Sequence, residues 1–275
     1  MPPVSSDDSG RVHGRAFGHG ELLEEPIAAV FWDIGGVILD LESVEHAHAL
    51  FVDLLCDRHE LSIQRDRALE VWRTAVGDAF RSREPDTYYP ARAAYAAGVA
   101  AVIEAANSSS RPASPNHPDR EAWQPLLEAA TCRAIEPNPG AVETVHELVT
   151  RDLHVGILSD VDDAECRLIL ERFGIRDAFD SITTSEAVGH TKPHPAMFET
   201  ALEAAGLRDD PERALMIGDR YDHDIVGAAD AGMVPVGYGA DTGAKPMVTI
   251  DRLPAVLDVL DVGPTQDLED CNDPR

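Results

Sequence analysis

The chain has 275 residues, with 50 Asp plus Glu against 23 Lys plus Arg, for a formal net charge of −27. A surface this acidic repels nucleic acid and anionic membrane, which excludes both as natural partners. Apolar residues make up 44%, an ordinary share for a globular protein with a sizeable core.

Two of the 23 cations are lysines, Lys192 and Lys245. Lysine depletion beside an acidic excess resembles proteins of salt-loving organisms, where concentrated salt screens self-repulsion to a few ångströms. Cys56, Cys132, Cys166 and Cys271 show no CxxC spacing and read as reduced thiols without a metal. There is no run of about 18 apolar residues that reads as a membrane span. The acidic, polar start has neither the basic nor the apolar region of a signal peptide, so a cytoplasmic location is expected.

Residues 1–25 are rich in Gly, Ser, Asp and His and read as a flexible extension. From Ile27 the apolar run ending at Asp33 suits a buried parallel strand, followed by the turn Ile34-Gly35-Gly36. Residues 42–106 carry helical spacing, as in Val44, Ala47, Leu50, Phe51, Leu54 and Leu55. The stretch 107–118, rich in Ser, Pro and Asn, reads as a loop. Helices are expected over 120–134 and 141–151, separated by the break Pro137-Asn-Pro-Gly140.

From there the chain alternates. Strands are expected at 155–160, 181–184, 214–219 and 234–238; helices at 164–173, 195–205, 225–231 and 253–259. Such alternation predicts an α/β fold, a doubly wound parallel sheet with helices on both faces. The helical residues 42–135 interrupt it after the first strand and read as an inserted all-α unit. The expected division is therefore 26–41 plus 136–262 for the sheet domain, 42–135 for the insert, and 263–275 as a flexible tail.

Asp33, Ser159 and Asp219 each end a strand before a turn. In an open parallel sheet the carboxyl ends of the strands line the ligand crevice, so these side chains should converge there. Lys192 lies in Gly189-His-Thr-Lys-Pro-His-Pro, a proline-fixed loop ahead of a helix. Two acids, a hydroxyl and a lysine in one crevice suit a cation and an anionic substrate, with Mg²⁺ the best match to carboxylate and phosphate oxygens. Trp32 should point away from the crevice into the core.

Phe31-Trp-Asp-Ile-Gly-Gly-Val, Ile157-Leu-Ser-Asp, Lys192-Pro-His-Pro and Ile217-Gly-Asp-Arg-Tyr-Asp-His-Asp-Ile resemble, in order, the four motifs of haloacid dehalogenase-like hydrolases. The resemblance spans about residues 27–262, and the inserted helices resemble that family's α-helical cap. It implies a small phosphorylated metabolite as substrate and Mg²⁺ as cofactor. Asp33 would be the nucleophile, forming an aspartyl-phosphate. Ser159 would bind phosphoryl oxygens, and Lys192 would pair with nucleophile and phosphate. Asp33, the carbonyl of Gly35 and Asp219 would hold the metal, with Asp224 behind them or bound through water.

One position departs from the pattern. Family phosphatases usually carry a general acid–base Asp two residues after the nucleophile, and here that place is Gly35. Asp222, His223, His190, His194 and Asp40 are candidate substitutes, not ranked by sequence. Two other readings follow from the gap: a metal-independent hydrolytic 2-haloacid dehalogenase, or a non-catalytic binding protein on the same fold. His46, His48, His59 and His117 lack ligand spacing and read as surface residues. Oligomeric state is not encoded in any of these patterns.

Overall fold

The computed structural model describes residues 12–14, 26–107, 119–239 and 248–262. Residues 108–118 of the loop expected at 107–118, with His117, the tail at 263–275 with Cys271, and Lys245 lie outside the described residues, while Asn107 ends a helix. Cys56, Cys132 and Cys166 are free thiols.

Six strands run parallel: β2 (Ala29–Trp32), β3 (His154–Ser159), β4 (Ser181–Thr184), β5 (Ala214–Gly218), β6 (Val234–Tyr238) and β7 (Val248–Ile250). A seventh, β1 (Val12–Gly14), pairs antiparallel with β7, giving the order β1-β7-β6-β5-β2-β3-β4. Residues 12–14 fall inside the expected amino-terminal extension, yet they form a strand. A three-residue edge strand such as β7 has free backbone donors and acceptors, and the antiparallel pairing satisfies one side of it.

The first strand of the parallel set, β2, lies at the centre, between β3 and β5. The chain therefore winds outward twice from β2, and the order reverses between β2 and β5. Alternate residues of the strands face two different cores. Val30, Trp32, Val155, Ile157, Leu215 and Ile217 pack on α5 (Ala141–Val149), α6 (Asp163–Arg172) and α10 (Ala255–Val262). Ala29, Phe31, Leu158, Ala214 and Met216 pack on α8 (Pro195–Ala204) and α9 (Val226–Asp230). Each fully buried large apolar side chain contributes about 1.5–3 kcal/mol. Trp32 is fully buried, as expected from its place in the strand.

Among the described residues, four helices stand between β2 and α5: α1 (Leu41–Arg58), α2 (Arg65–Arg81), α3 (Ala91–Asn107) and α4 (Arg120–Ala134). They share a core of their own built on Phe51, Leu55, Trp72, Val99 and Trp123. His48, read from sequence as a surface residue, is half-buried, edge-on to Trp72 and Tyr95. The aromatic cluster of this core explains the difference, since an imidazole packs edge-on against ring faces. His59 is also half-buried.

The helices meet the sheet domain along a polar seam. The Tyr88 hydroxyl donates to Asp162 at 2.9 Å, Arg92 pairs with Glu186 of α7 (Ser185–Val188) at 3.0 Å, and Thr191 N donates to the Asp86 carbonyl at 3.0 Å. No helix among the described residues is long and apolar enough to cross a membrane.

Candidate active site

The reversal of strand order leaves a gap beyond the carboxyl ends of β2 and β5, the usual ligand crevice of such sheets. Asp33 continues β2, its N–H donating to the Ile217 carbonyl at 3.0 Å, so its side chain is set by the sheet ladder. Asp219 follows β5 directly, and Ser159 is the last residue of β3. One crevice is lined by Asp33, Gly35, Leu41, Ser159, Asp160, Lys192, Asp219, Arg220, His223 and Asp224. Every residue predicted for catalysis, phosphate binding or metal binding borders it.

Lys192 reaches this crevice through the core. Its side chain is 1% exposed, and Nζ lies 3.0 Å from Asp33 Oδ1 and 2.6 Å from Asp224 Oδ1. Nζ also donates to the Leu158 carbonyl at 3.1 Å. The loop is held at its root, where Lys192 N donates to Asp160 Oδ1 at 2.8 Å, and His194 and Pro195 start α8. Burial alone would lower the ammonium pKa, but Asp224, Asp33 and Asp160 outweigh it and hold Lys192 above its usual value.

Burial pushes the Asp33 carboxyl up to about 7; Asp224 and Asp160 act in the same direction, while Lys192 and the Ser159 hydroxyl pull it down. Asp219 is raised as well, by burial and by Asp224. Asp160 is lowered: burial opposes this, but His223 and Lys192 prevail. Ser159 is no helix cap, because α6 starts four residues later behind Asp162. Its Oγ faces Ile34 N at 3.4 Å.

Two glycines let the backbone approach these acids. A Cβ on Gly36, whose φ is +76°, would stand 2.1 Å from Asp219 Oδ2. A Cβ on Gly218 would stand 2.1 Å from Asp224 Cβ. Asp224 lies in a π-helical turn, Tyr221–Ile225, and is fully buried, with Oδ2 accepting from Arg220 N at 3.0 Å. Asp222 on the same turn is exposed.

Asp33, Asp219 and Asp224 each present a carboxylate oxygen within 4.8 Å of the others. Asp219 Oδ1 is buried and has no hydrogen-bond partner among the described residues. A buried carboxylate oxygen is costly when nothing neutralises it. A divalent cation fits this donor set, which is hard, anionic and all oxygen.

Of the five candidates for the missing acid–base group, only His223 lines this crevice. Its Nδ1 faces Asp160 Oδ2 at 3.4 Å and its Nε2 faces Arg220 Nη2 at 2.6 Å. Asp40 instead caps α1, accepting from Glu42 N at 3.1 Å. His190 and His194 stack on each other, rings 3.6 Å apart, and Nδ1 of His194 accepts from Ala196 N. Asp160 was not singled out from sequence, although its place beside Ser159 at a strand end is the same signal that marked Ser159.

A family model for haloacid dehalogenase-like hydrolases matches residues 27–232. The glyceraldehyde 3-phosphate phosphatase of Methanothermobacter thermautotrophicus is 35% identical over 99 residues, 36% of this chain and 43% of that protein. The match thus spans less than half of that relative's length. A structure of YfnB from Bacillus subtilis bound to magnesium superposes with a TM-score of 0.63 at 19% identity, covering 86% of this chain and all of that one. A 2-haloacid dehalogenase from Pseudomonas syringae gives a TM-score of 0.61 at 21% identity over 86% of this chain and 99% of its own. Such likenesses report the fold, which phosphatases and dehalogenases share. With the family model covering most of the chain, the protein belongs to the haloacid dehalogenase-like hydrolases.

Proposed function

We propose that the chain is a Mg²⁺-dependent phosphatase acting on a small phosphorylated metabolite through an aspartyl-phosphate on Asp33. The observation that carries this reading is the buried Asp219 oxygen without a partner, next to Asp33 and Asp224. A dehalogenase that attacks carbon without a metal leaves that acid without a role. The similarity to a glyceraldehyde 3-phosphate phosphatase over part of its length points the same way.

In this reading Asp33, the Gly35 carbonyl, Asp219 and Asp224 hold Mg²⁺. When bound, the ion supplies positive charge against the phosphoryl oxygens and offsets the repulsion between two anions. Lys192 and Ser159 hold the phosphoryl group, and the Lys192 ammonium orients the attacking carboxylate oxygen of Asp33. That oxygen bonds to phosphorus while the bond to the leaving oxygen breaks, and the leaving alkoxide takes up a proton. Water then attacks phosphorus, loses its proton, and releases Asp33 as a carboxylate with inorganic phosphate. In this reading His223, with Nδ1 facing Asp160, takes the proton-transfer role that Gly35 lacks once Arg220 releases its Nε2.

The test is phosphate release from p-nitrophenyl phosphate and a panel of sugar phosphates with and without Mg²⁺. Release that needs Mg²⁺ and disappears in Asp33→Asn supports the reading. No release from any ester with Mg²⁺ present, or chloride release from 2-haloacids that survives EDTA, overturns it.

A further inference from the structure

A second cavity adjoins the catalytic crevice and shares Gly35, Leu41, Ser159 and Asp160 with it. It has a volume of about 230 Å³ and runs between the sheet domain and the helices, with Phe80, Arg83, Tyr88 and Tyr89 on its helical wall. The leaving group of a phosphate held at Asp33 has this space to enter. Arg83 also borders an outer crevice, together with Arg81, Arg220, His223 and one acid, Asp86.

Acids outnumber bases by more than two to one in this chain, and several of its arginines pair with them. Arg65, Arg73, Arg81, Arg92, Arg151 and Arg208 all form ion pairs. Arg83 does not. It is half-buried, and its side chain has no hydrogen bond or ion pair among the described residues. The acids that share the inner cavity with it are engaged elsewhere. Asp160 accepts from Lys192 N and faces His223, Asp162 accepts from the Tyr88 hydroxyl and Ala91 N, and Glu165 faces the Tyr95 hydroxyl. With no partner among the described residues, the planar donors of this guanidinium are open to an anion that reaches the cavity.

We propose that Arg83 determines specificity by pairing with a second anionic group, a carboxylate or a second phosphate, on the leaving group of the substrate. This rests on the phosphatase reading above. The transferred phosphoryl group is already served by Lys192 and Ser159, so the charge of Arg83 is free for the other end of the molecule. Arg220, on the outer crevice, adds a second positive charge on the same side. At the outer crevice Arg81, Arg83 and Arg220 face one acid, Asp86, a local reversal of sign in a chain of net charge −27 that favours an anionic group there.

The experiment compares kcat/KM for matched esters: glycerol 3-phosphate against 3-phosphoglycerate for a carboxylate, and fructose 1-phosphate against fructose 1,6-bisphosphate for a second phosphate. The unmodified protein is expected to favour the anion-bearing member of at least one pair by 10-fold or more. In Arg83→Gln that preference should fall by about 10- to 100-fold, the range for a hydrogen bond between charged groups. The loss should sit mainly in KM, and Arg83→Lys should keep part of the preference. Circular dichroism confirms that each variant is folded. A preference for the neutral esters, or a ratio within threefold of the original in Arg83→Gln, overturns the proposal and leaves the phosphatase reading standing. Should Arg83→Gln not fold, Arg83→Lys and the preference of the unmodified protein decide. If no ester releases phosphate, both readings fall together.

Discussion

Lys192 Nζ stands 3.0 Å from Asp33 Oδ1 and 2.6 Å from Asp224 Oδ1, with all three side chains less than a tenth exposed. One ammonium thus compensates two acids. Removing one partner of a buried pair leaves an uncompensated charge, at a cost of about 3–5 kcal/mol. Lys192→Met is therefore expected to lose phosphatase activity and to unfold at clearly lower temperature. Mg²⁺ should restore part of the stability by neutralising the same acids. Thermal unfolding with Mg²⁺ and with EDTA checks this, and an unfolding midpoint equal to that of the unmodified protein would contradict it.

The two glycines after Asp33 predict opposite outcomes. At Gly35 a Cβ meets only Leu41 Cδ2, at 3.8 Å, an ordinary contact. At Gly36 the added Cβ collides with the Asp219 carboxylate, on a backbone with φ +76°. Gly35→Asp is expected to fold and to raise kcat, and to restore turnover to His223→Ala, whose own loss should be about 10²–10⁴-fold. Gly36→Ala should displace Asp219 and weaken Mg²⁺ binding. Activity titrated against Mg²⁺ separates the two; equal behaviour of both variants would refute the assignment.

The strands near the site were legible because they are buried runs that end in polar residues. Four of them, β3 to β6, begin and end within one residue of the expected bounds. Convergence of Asp33, Ser159, Lys192 and Asp219 on one crevice followed from the order of those strands. What escaped was set by tertiary partners. With only three residues, β7 shows no period, and it pairs because β6 offers an edge. Asp224 reaches Lys192 from a π-helical turn, a geometry that no sequence period marks. Arg83 carries no signal in sequence, since what marks it is its place on the walls of two cavities beside the catalytic crevice.

Glu165 gives a dependence on pH. Burial pushes its carboxyl up to about 7, Asp162 adding to this and the Tyr95 hydroxyl opposing it. The folded state therefore favours the protonated form, and the unfolded state releases that proton near the ordinary value of 4.5. Between those values the folded chain binds more protons, so this residue's contribution to stability is full below about 4.5 and lost as pH rises through about 7. Glu165→Gln keeps the shape without the charge. It is expected to raise the unfolding midpoint at pH 8 and to change it little at pH 4.5. Identical shifts at both pH values would show that the carboxyl titrates normally.

The last prediction follows from the net charge of −27. Several arginines are shared between two acids, as Arg65 is between Asp53 and Asp57 and Arg208 between Glu199 and Glu203. These pairs are exposed and each contributes little, about 0–1 kcal/mol. Salt weakens them, but it also weakens repulsion among the unpaired acids, and with twice as many acids as bases the second effect is larger. Raising KCl from 0.1 M to 2 M shortens the screening length from about 10 Å to below about 3 Å. The unfolding midpoint should therefore rise steadily, by at least about 2–4 °C, the shift that accompanies about 1 kcal/mol in a protein of this size. A fall over that range would mean that the ion pairs outweigh the repulsion, and that the acidic surface is no adaptation to salt.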